Sequence, residues 1–389
     1  MPNIVRIVEE KRCYGCASCY NSCVKSAITM ERDEQGFSIP HVDKSKCVNC
    51  GVCDTRCPAR KENFVSTKDT SYTQKVYSVR LKDTEIRKAS SSGGLFTALS
   101  TAILERGGYV SGAVWDEHFN VRHCITMDTS VRDKMRQSKY VQSEIGDCFC
   151  KIRKQLQDNK YVLFTGTPCQ TAALKLFLKG DNTDRLILCD VLCGGNVSPL
   201  FFHDYLDYIE NRKNDKVKSV CFRTKKIGWK QHHICVELNH SVYEGARRDN
   251  EPFFDLYLKK MIIRPSCFSC QFAGTERNSD LTLGDFWGID KVDPGVDDDI
   301  GISFLSINTL KGAELFETAK GSILFEERDI NLAIPRQINL RHAPIKPEQY
   351  DKFWREYIEE GASVILKRYT TFGFINKLVN RLKLFIKSI

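Results

Sequence analysis

Eight of the 18 cysteines in this 389-residue sequence lie between residues 13 and 57, in two runs with the same spacing. Each run reads Cys-x2-Cys-x2-Cys-x3-Cys, and the second is followed directly by a proline. Three thiolates on one tight loop can ligate three irons of a cubane, while the fourth iron needs a ligand from elsewhere. The eight residues are Cys13, Cys16, Cys19, Cys23, Cys47, Cys50, Cys53 and Cys57. The repeated spacing predicts two 4Fe-4S clusters.

In the two-cluster ferredoxin arrangement, each run gives its fourth cysteine to the other cluster. We therefore expect one cluster on Cys13, Cys16, Cys19 and Cys57, and the other on Cys47, Cys50, Cys53 and Cys23. Val24 stands where a proline is expected after the first run, which leaves the ligands intact. The alternative is a pair of zinc sites, but zinc favours two separated CxxC pairs per ion rather than four cysteines within 11 residues.

Ten more cysteines are scattered through the rest of the chain. The segments FTGTPCQ, CDVLCGG and CFSC follow predicted strands or a helix and contain Cys169, Cys193, Cys267 and Cys270. Because neighbouring parallel strands end at one edge of a sheet, a third cubane there is geometrically reasonable. Spacing favours a ligand role for the CxxC pair, but for Cys169 and Cys193 it leaves ligand and buried thiol equally open. The other six are interpreted as structural thiols: Cys124, Cys148, Cys150, Cys189, Cys221 and Cys235.

Three polar segments offer groups suited to a phosphate-bearing cofactor. Residues 90–94 form a serine–glycine turn before an apolar helix, whose amides and dipole suit a phosphate, with Gly93 giving the backbone room to approach. The alternative is a plain helix cap. The turn lacks the glycine spacing of nicotinamide-binding folds. Residues 137–143 add a cation and an aromatic ring, and residues 280–288 add an acid and two aromatic rings.

The overall composition is that of an ordinary globular protein, with 42% hydrophobic and 28% charged residues. No apolar run reaches the roughly 18 residues that span a bilayer, and the first residues lack the apolar core of a signal peptide. We therefore expect a cytoplasmic protein, whose many cysteines indicate metal or redox chemistry. The formal charge of +9 does not indicate nucleic-acid binding. Three clusters at about −2 each, with a flavin diphosphate, would bring the holoprotein near neutrality.

Beyond residue 75, predicted strands alternate with predicted helices, so we expect an α+β or α/β fold with partly parallel pairing. The predicted domains are a small two-cluster ferredoxin-like domain (1–65), a larger mixed α/β domain (66–345) and a helical, basic extension (346–389). One long helix is predicted over about residues 347–368.

The tail, residues 366–389, carries six basic and no acidic residues, with apolar residues at helical spacing on one face. A basic amphipathic helix can lie on an anionic membrane surface, giving a peripheral membrane contact. The alternative is a terminal helix that packs on its own domain or on a partner. A membrane-bound helix and a helix packed on protein need the same apolar stripe, so the sequence does not distinguish these two alternatives.

Together these segments resemble the beta-subunit family of coenzyme F-420 hydrogenases and dehydrogenases, over roughly residues 10–330. The matching motifs are SSGGLFTALS, SKYVQS, FTGTPCQ, the Cys193 segment through VSP, CFSC and SDLTLGDFWGI. The resemblance implies a domain that binds FAD beside a 4Fe-4S cluster, with Cys169, Cys193, Cys267 and Cys270 as its ligands. It places near the flavin Ser92, Gly93, Gly94, Lys139, Tyr140, Gln142, Ser143, Thr167, Gln170, Asp285 and Trp287.

The resemblance implies a flavin- and iron–sulfur-dependent oxidoreductase that exchanges electrons between a ferredoxin-like or other redox protein and an organic substrate or deazaflavin. Lys139 is the candidate catalytic residue, as a point charge that stabilises reduced flavin. A surface lysine without a role is the alternative. Some related chains accompany polysaccharide-biosynthesis enzymes in bacteria not expected to make the deazaflavin, so the substrate stays open. The other function classes are a non-catalytic electron-transfer subunit of a larger complex and an iron–sulfur scaffold.

Overall fold

The structure is a computed structural model that describes residues 3–63 and 72–370. Its strands are β1 (Ile28–Arg32), β2 (Ser38–Val42), β3 (Lys75–Leu81), β4 (Tyr109–Trp115), β5 (Val121–Thr126), β6 (Val162–Gly166), β7 (Leu186–Val191), β8 (Val217–Cys221), β9 (His233–Leu238), β10 (Val242–Ala246), β11 (Leu281–Asp285), β12 (Ser303–Ile307) and β13 (Ile323–Arg328).

Its α-helices are α1 (Asn3–Glu9), α2 (Ser18–Ser22), α3 (Val52–Thr55), α4 (Thr84–Lys88), α5 (Leu95–Glu105), α6 (Thr129–Lys134), α7 (Cys148–Gln157), α8 (Pro168–Phe177), α9 (Pro199–Lys213), α10 (Pro252–Leu258), α11 (Ile289–Val292), α12 (Leu310–Ala319), α13 (Ile330–Ala333), α14 (Tyr350–Glu360) and α15 (Ala362–Tyr369). Within the described ranges these elements form a small ferredoxin-like region and a larger mixed α/β region. The predicted fold class is confirmed.

The cysteine-rich region is built on the antiparallel hairpin β1–β2, in which Met30 lies opposite Pro40. Helix α2 begins inside the first cysteine run and α3 inside the second, and the two helices pack together. The Ile4 amide of α1 donates to Asp54 Oδ1 of α3 at 3.0 Å. These contacts hold the two cysteine loops side by side.

The larger region is organised by a sheet that has, in the described residues, the strand order β13-β3-β12-β11-β7-β6-β4-β5. The four middle strands β11, β7, β6 and β4 pair in parallel, and the outer strands pair antiparallel. Gly166 of β6 lies beside Asp190 of β7, and Val191 of β7 lies beside Leu283 of β11. The loops after these three strands therefore leave the sheet at one edge, as the sequence predicts.

Both faces of this sheet are covered by apolar helix faces. On one face α5 and α12 contribute buried side chains such as Leu99 and Phe316. On the other face α7 and α8 pack not only on the sheet but also on the first cysteine loop. Tyr14 and Cys16 of that loop share one hydrophobic core with Phe149 of α7. The ferredoxin-like region is therefore joined to the α/β region by a common core.

A further hydrophobic core lies between the three-stranded sheet β10-β9-β8 and the helices α9, α10, α14 and α15. It includes aromatic residues such as Phe253, Trp354 and Tyr357. The helix predicted over about 347–368 is in fact two helices. Gly361, with a φ of 81°, ends α14 because this backbone conformation leaves the helical region and favours glycine. Residues 350–369 of the predicted extension pack into this core.

The predicted amphipathic helix of the tail falls largely on residues 371–389, which lie outside the described residues. Residues 64–71, which include the predicted boundary between residues 65 and 66, also lie outside them. In the ranges 3–63 and 72–370, the helices are all too short or too polar to cross a bilayer. Membrane contact through the tail stays a prediction.

Candidate iron–sulfur and flavin site

One buried cavity is lined by the four cysteines predicted for the first cluster: Cys13, Cys16, Cys19 and Cys57. Its other walls are largely apolar and include Ile7, Met30 and Pro40. Burial raises the pKa of the Cys16 thiol well above its usual range, and the charge of the nearby Cys57 raises it further. Four thiols in such surroundings ionise together only where cations compensate them. An iron–sulfur cluster supplies that compensation, so these residues fit the group.

The two cysteine loops share an unusual backbone conformation. Gly15 and Asn49, each directly before the second cysteine of its run, have φ values of 65° and 53°. Ala17 and Gly51, each directly after that cysteine, have φ values of 56° and 74°. Alternating left-handed residues turn successive amides into a concave anion site of the kind found around Fe–S centres. The Gly15 amide already donates to Cys13 Sγ at 3.3 Å. Both loops therefore fit a cluster.

The second predicted cysteine set, Cys47, Cys50, Cys53 and Cys23, lies nearer the surface. Cys53 and Cys23 pack in a small apolar core with Ile4 and Ile28. Burial, with the charge of Asp54 next in size, raises the pKa of Cys53 to about 11. At the outer side Cys50 is exposed, and the neighbouring Val24 and Val48 are 87% and 60% exposed. A cluster at this position has an edge open to a partner protein.

A single-ion site has a different geometry from these cysteine sets. In the part of the chain that the structure describes, no three histidine, cysteine or acidic side chains converge as ligands of one metal ion. In a 4Fe-4S cluster each of the four irons binds one cysteine thiolate, so the four thiolates do not need to meet at a single metal ion. The ligand roles of the cysteines stay predictions that metal analysis decides.

A second buried cavity is lined by the four cysteines predicted for the inner cluster: Cys169, Cys193, Cys267 and Cys270. Cys169 lies in the first turn of α8 and Cys193 in the loop after β7. Cys267 lies in the short 3-10 turn Pro265–Ser269, and Cys270 directly follows that turn. Thr167 and Gln170 form a capping box that fixes the first turn of α8 around Cys169. Spacing alone left Cys169 and Cys193 undecided, and the structure places both with the CxxC pair.

The two buried cavities adjoin each other. Tyr14 lines both of them. Beside it, Arg264 donates to the carbonyl of Cys13 at 2.6 Å and to that of Ser38 at 3.0 Å. Arg264 also lines the inner cavity, and its Nη1 atom has no hydrogen-bond partner among the described residues. A Cβ on Gly15 would lie only 2.8 Å from this atom, so the loop and the guanidinium are in close contact.

A second buried arginine stands on the far side of the inner cavity. Arg277 lines the cavity and donates to Asp190 Oδ1 at 2.8 Å, with both side chains almost completely buried. It also donates to the Phe272 carbonyl at 3.1 Å and to Thr282 Oγ1 at 3.2 Å. Sequence analysis missed both Arg264 and Arg277, because an isolated arginine carries no spacing signal.

The serine–glycine turn packs tightly against the large sheet. The Gly93 amide donates to Ser303 Oγ at 2.9 Å, and the Gly93 carbonyl accepts from the Leu81 amide at 2.7 Å. A Cβ on Gly93 would overlap the carbonyl oxygen of Val79. The Gly93 amide is thus engaged within the protein. Close packing of the turn is one reason for glycine at this position, and a role beside a phosphate stays a prediction.

The neighbours of Gly93 are also placed by the fold. Ser92 Oγ donates to the Ile302 carbonyl at 3.0 Å. Gly94, with a φ of 84°, is the N-cap of α5 and makes no side-chain cap. The Ser138 amide of the loop 137–143 donates to Ser91 Oγ of the serine–glycine turn at 2.7 Å. Two of the three predicted cofactor segments are in direct contact.

Lys139 closes the end of a helix. Its ammonium group donates to the carbonyls of Lys134 and Arg136, both at 3.0 Å, just where α6 ends. Burial lowers the pKa of Lys139 to about 8. The two hydrogen bonds of its ammonium group give Lys139 a structural use at the end of α6. Its catalytic role stays a prediction.

Tyr140, Asp285 and Trp287 form one cluster around Arg223, a residue that sequence analysis did not single out. Arg223 donates to Asp285 Oδ2 at 2.8 Å and to the Tyr140 hydroxyl at 3.3 Å, and its guanidinium carbon lies 5.3 Å from the Trp287 ring centre. The Trp287 ring stacks on His232 at 5.6 Å. Asp285 Oδ1 and His232 Nδ1 are buried without a partner among the described residues. Unpartnered polar atoms beside flat rings suit a polar ring-shaped ligand such as a flavin.

The remaining predicted flavin residues lie closer to the cysteines. Gln170 donates to Ser143 Oγ at 2.9 Å, and the Thr167 amide donates to Gln170 Oε1 at 2.9 Å. Gln142 Oε1 accepts from the Ser38 amide at 2.9 Å, which ties this loop to the ferredoxin-like hairpin. Seven of the eleven predicted residues thus form two groups, one around Arg223 and one around the start of α8. The other four lie in the serine–glycine turn and at the end of α6: Ser92, Gly93, Gly94 and Lys139.

Gly93→Ala is expected to destabilise the whole protein rather than to release flavin selectively. The added methyl group meets backbone atoms on both sides, and overpacking of this kind costs about 1–3 kcal/mol. Thermal unfolding, with flavin measured per folded chain, checks this result. Gly321→Ala is the control, because a Cβ there meets nothing within 4 Å. Unchanged unfolding together with lost flavin would instead support a phosphate role for Gly93.

Two family models match separate parts of the chain. Residues 159–332 match the family that comprises the C terminus of the coenzyme F420 hydrogenase/dehydrogenase beta subunit, and residues 12–61 match a 4Fe-4S dicluster domain. An uncharacterized ferredoxin of Methanocaldococcus jannaschii is 38% identical over 52 residues, which is 13% of this chain and 66% of the ferredoxin. The chain thus spans just under two thirds of that relative's length.

A solved structure also shows similarity to the chain. A chain of the F420-reducing [NiFe] hydrogenase complex from Methanosarcina barkeri, determined with xenon, matches with a TM-score of 0.48 and 20% identity, over 74% of this chain and 91% of that one. The family matches cover both cysteine-rich regions and the motifs singled out in the sequence after residue 159. The chain is therefore similar in two separate parts to known proteins, over residues 12–61 to a 4Fe-4S dicluster domain and over residues 159–332 to the C terminus of the coenzyme F420 hydrogenase/dehydrogenase beta subunit.

Proposed function

We propose that the chain passes electrons between a one-electron carrier protein and an organic substrate, using three 4Fe-4S clusters and FAD. The observation that carries this proposal is the serial placement of the cysteine sets. One set has an exposed edge at Cys50, one lines a buried cavity, and one lines the adjoining inner cavity, with Tyr14 in the walls of both. Bound clusters supply one-electron exchange and a bound flavin supplies one- or two-electron exchange.

The residues around the cavities suit this function. Arg264, whose guanidinium donates to two backbone carbonyls, places buried positive charge beside the inner cavity, which favours the more negative, reduced form of a group held there. Arg277 lines the same cavity as an ion pair with Asp190. Arg223, ion-paired with Asp285, lies next to Tyr140 and Trp287 and holds these groups together in the predicted flavin site. The exposed Val24 and Val48 give a carrier protein an apolar contact at the outer edge.

The substrate class within this proposal is a deazaflavin coenzyme or another small organic molecule, including one from polysaccharide-related metabolism. A reoxidation screen of the reduced holoprotein against candidate acceptors identifies it. The second candidate function is a non-catalytic electron-transfer subunit, supported by the match to a family described by its beta subunit. In that case the isolated chain would hold clusters but reduce no small molecule without its partner subunits.

Anaerobic purification followed by metal, sulfide and flavin analysis tests the proposal. We expect about 12 iron and about 12 labile sulfide per chain, with one FAD released by acid. Stoichiometric zinc with little iron would contradict the clusters. FMN or no flavin would contradict the flavin assignment and favour the electron-transfer subunit.

A further inference from the structure

Two cysteines interpreted from the sequence as structural thiols lie opposite each other in the structure. Cys221 is the last residue of β8, and Cys235 lies within β9. The antiparallel register of these strands pairs Cys221 directly with Cys235. Both are half-buried free thiols. Neither lines a cysteine cavity, so the relay proposed above makes no use of them.

The backbone already places this pair within disulfide range. Residues directly opposite in an antiparallel pair share one face of the sheet, with Cα atoms about 4.5–5.5 Å apart. Disulfides span Cα separations of about 4.4–6.8 Å. In addition, β8 is an edge strand of its sheet and Cys221 ends it, so a small adjustment can bring the two sulfur atoms together.

The face that carries the pair is not the core face. Val220 and Val236, the next pair along the two strands, are buried in the hydrophobic core. Since side chains alternate along a strand, Cys221 and Cys235 lie on the opposite face. Across the sheet, Cys235 pairs with Glu244 of β10. A small neutral reagent can approach this face more easily than an anionic one.

On its other side the pair adjoins a loop of the candidate site. Burial raises the pKa of the Cys221 thiol, and the nearby Gln137 side chain and the charge of Lys139 offset part of this rise. Both residues belong to the loop 137–143 that is predicted to serve the flavin.

We propose that Cys221 and Cys235 form a reversible intramolecular disulfide by exchange with a low-molecular-weight disulfide. One protein thiolate attacks a sulfur of the small disulfide, which gives a mixed disulfide and releases one thiol. The second protein thiolate then attacks the protein sulfur of the mixed disulfide and releases the second thiol. The protein pair loses two electrons and two protons, and the small disulfide takes up both to become two thiols.

The reduced pair exchanges slowly. Burial raises the pKa of both thiols, and that of Cys235 reaches about 11. Few thiolates are thus present at neutral pH, so exchange takes minutes to hours rather than seconds. The pair therefore stays reduced during brief exposure to disulfides and becomes oxidised only during sustained exposure.

The test uses the anaerobic holoprotein and hydroxyethyl disulfide, a neutral probe, at pH 8. After acid quenching and alkylation, trypsin releases Cys221 in peptide 219–223 and Cys235 in peptide 231–247, each with a single cysteine. We expect a new species with the summed mass of both peptides and a matching loss of the two alkylated peptides. Treatment with a reductant before alkylation should restore both.

Two variants make this test specific. Cys150→Ser, which removes an exposed thiol elsewhere, should leave the linked species unchanged. Cys235→Ser should abolish it and leave Cys221 as a mixed disulfide with the probe. Full recovery of both alkylated peptides from the treated wild type would overturn the proposal. So would a link from either residue to a third cysteine, or a linked pair found only in chains that have lost iron.

Discussion

Cys267→Ser is expected to lower the iron content from about 12 to about 8 per chain. Cys267 lines the inner cavity, and a serine hydroxyl at that position cannot replace a thiolate on the fourth iron. Under the proposed function, an external one-electron donor should then reduce the bound flavin more than about 100-fold more slowly. This exceeds the loss of activity that usually follows when only a neighbour of a metal ligand is changed. Iron analysis and stopped-flow absorbance measure the two effects.

Two matched variants show whether this loss is specific. Cys150→Ser changes an exposed cysteine outside every predicted set and should keep full iron and full rate. Cys50→Ser should remove the outer cluster, lower iron by a similar amount and leave bound flavin in place. If Cys267→Ser kept wild-type iron and wild-type rate, the inner cluster and the proposed relay would both be wrong.

Arg277→Gln is expected to destabilise the protein by about 3–5 kcal/mol, because it leaves the fully buried Asp190 without its cation. This is a large part of the roughly 5–15 kcal/mol that stabilises a typical domain. Asp190 lies at the end of β7, just before Cys193, so we also expect weaker retention of the inner cluster. A lower urea midpoint, followed alongside the iron content, measures both results.

A double variant separates the charge from the packing. Arg277→Met with Asp190→Leu removes both charges, and replacing a buried ion pair by apolar residues is often neutral or stabilising. We therefore expect it to recover part of the urea midpoint that Arg277→Gln loses. An Arg277→Gln midpoint equal to that of the wild type would show that the ion pair with Asp190 does not contribute to stability. A double variant less stable than the single one would show that packing around the guanidinium dominates.

The sequence was most informative where chemistry imposes a spacing. The repeated cysteine runs predicted two groups of four residues, and one of these, with Cys57 joining the first run, lines a single cavity. The strand ends after β6 and β7 were placed correctly because parallel strands have a common direction. These are local rules, and they hold without knowledge of the rest of the fold.

Features that depend on distant contacts could not be read in this way. The serine–glycine pattern does not show that the Gly93 amide donates to Ser303, which lies more than 200 residues away in the chain. Arg223, Arg264 and Arg277 acquire their importance from burial beside the candidate sites, and no pattern marks them in advance. Gly361 lies within an otherwise helical pattern, and only its positive φ shows that the helix ends there.

The core shared by Tyr14, Cys16 and Phe149 bears on kinetics. Where a carrier domain hangs on a tether, each transfer waits for the domain to find its docking position, so the rate follows tether length and solvent viscosity. Here the first cysteine loop is packed into the body of the protein, and Arg264 binds it directly. Under the proposed function, transfer between the cysteine sets therefore needs no diffusive search. Diffusion limits only the arrival of a carrier protein at the edge around the exposed Cys50.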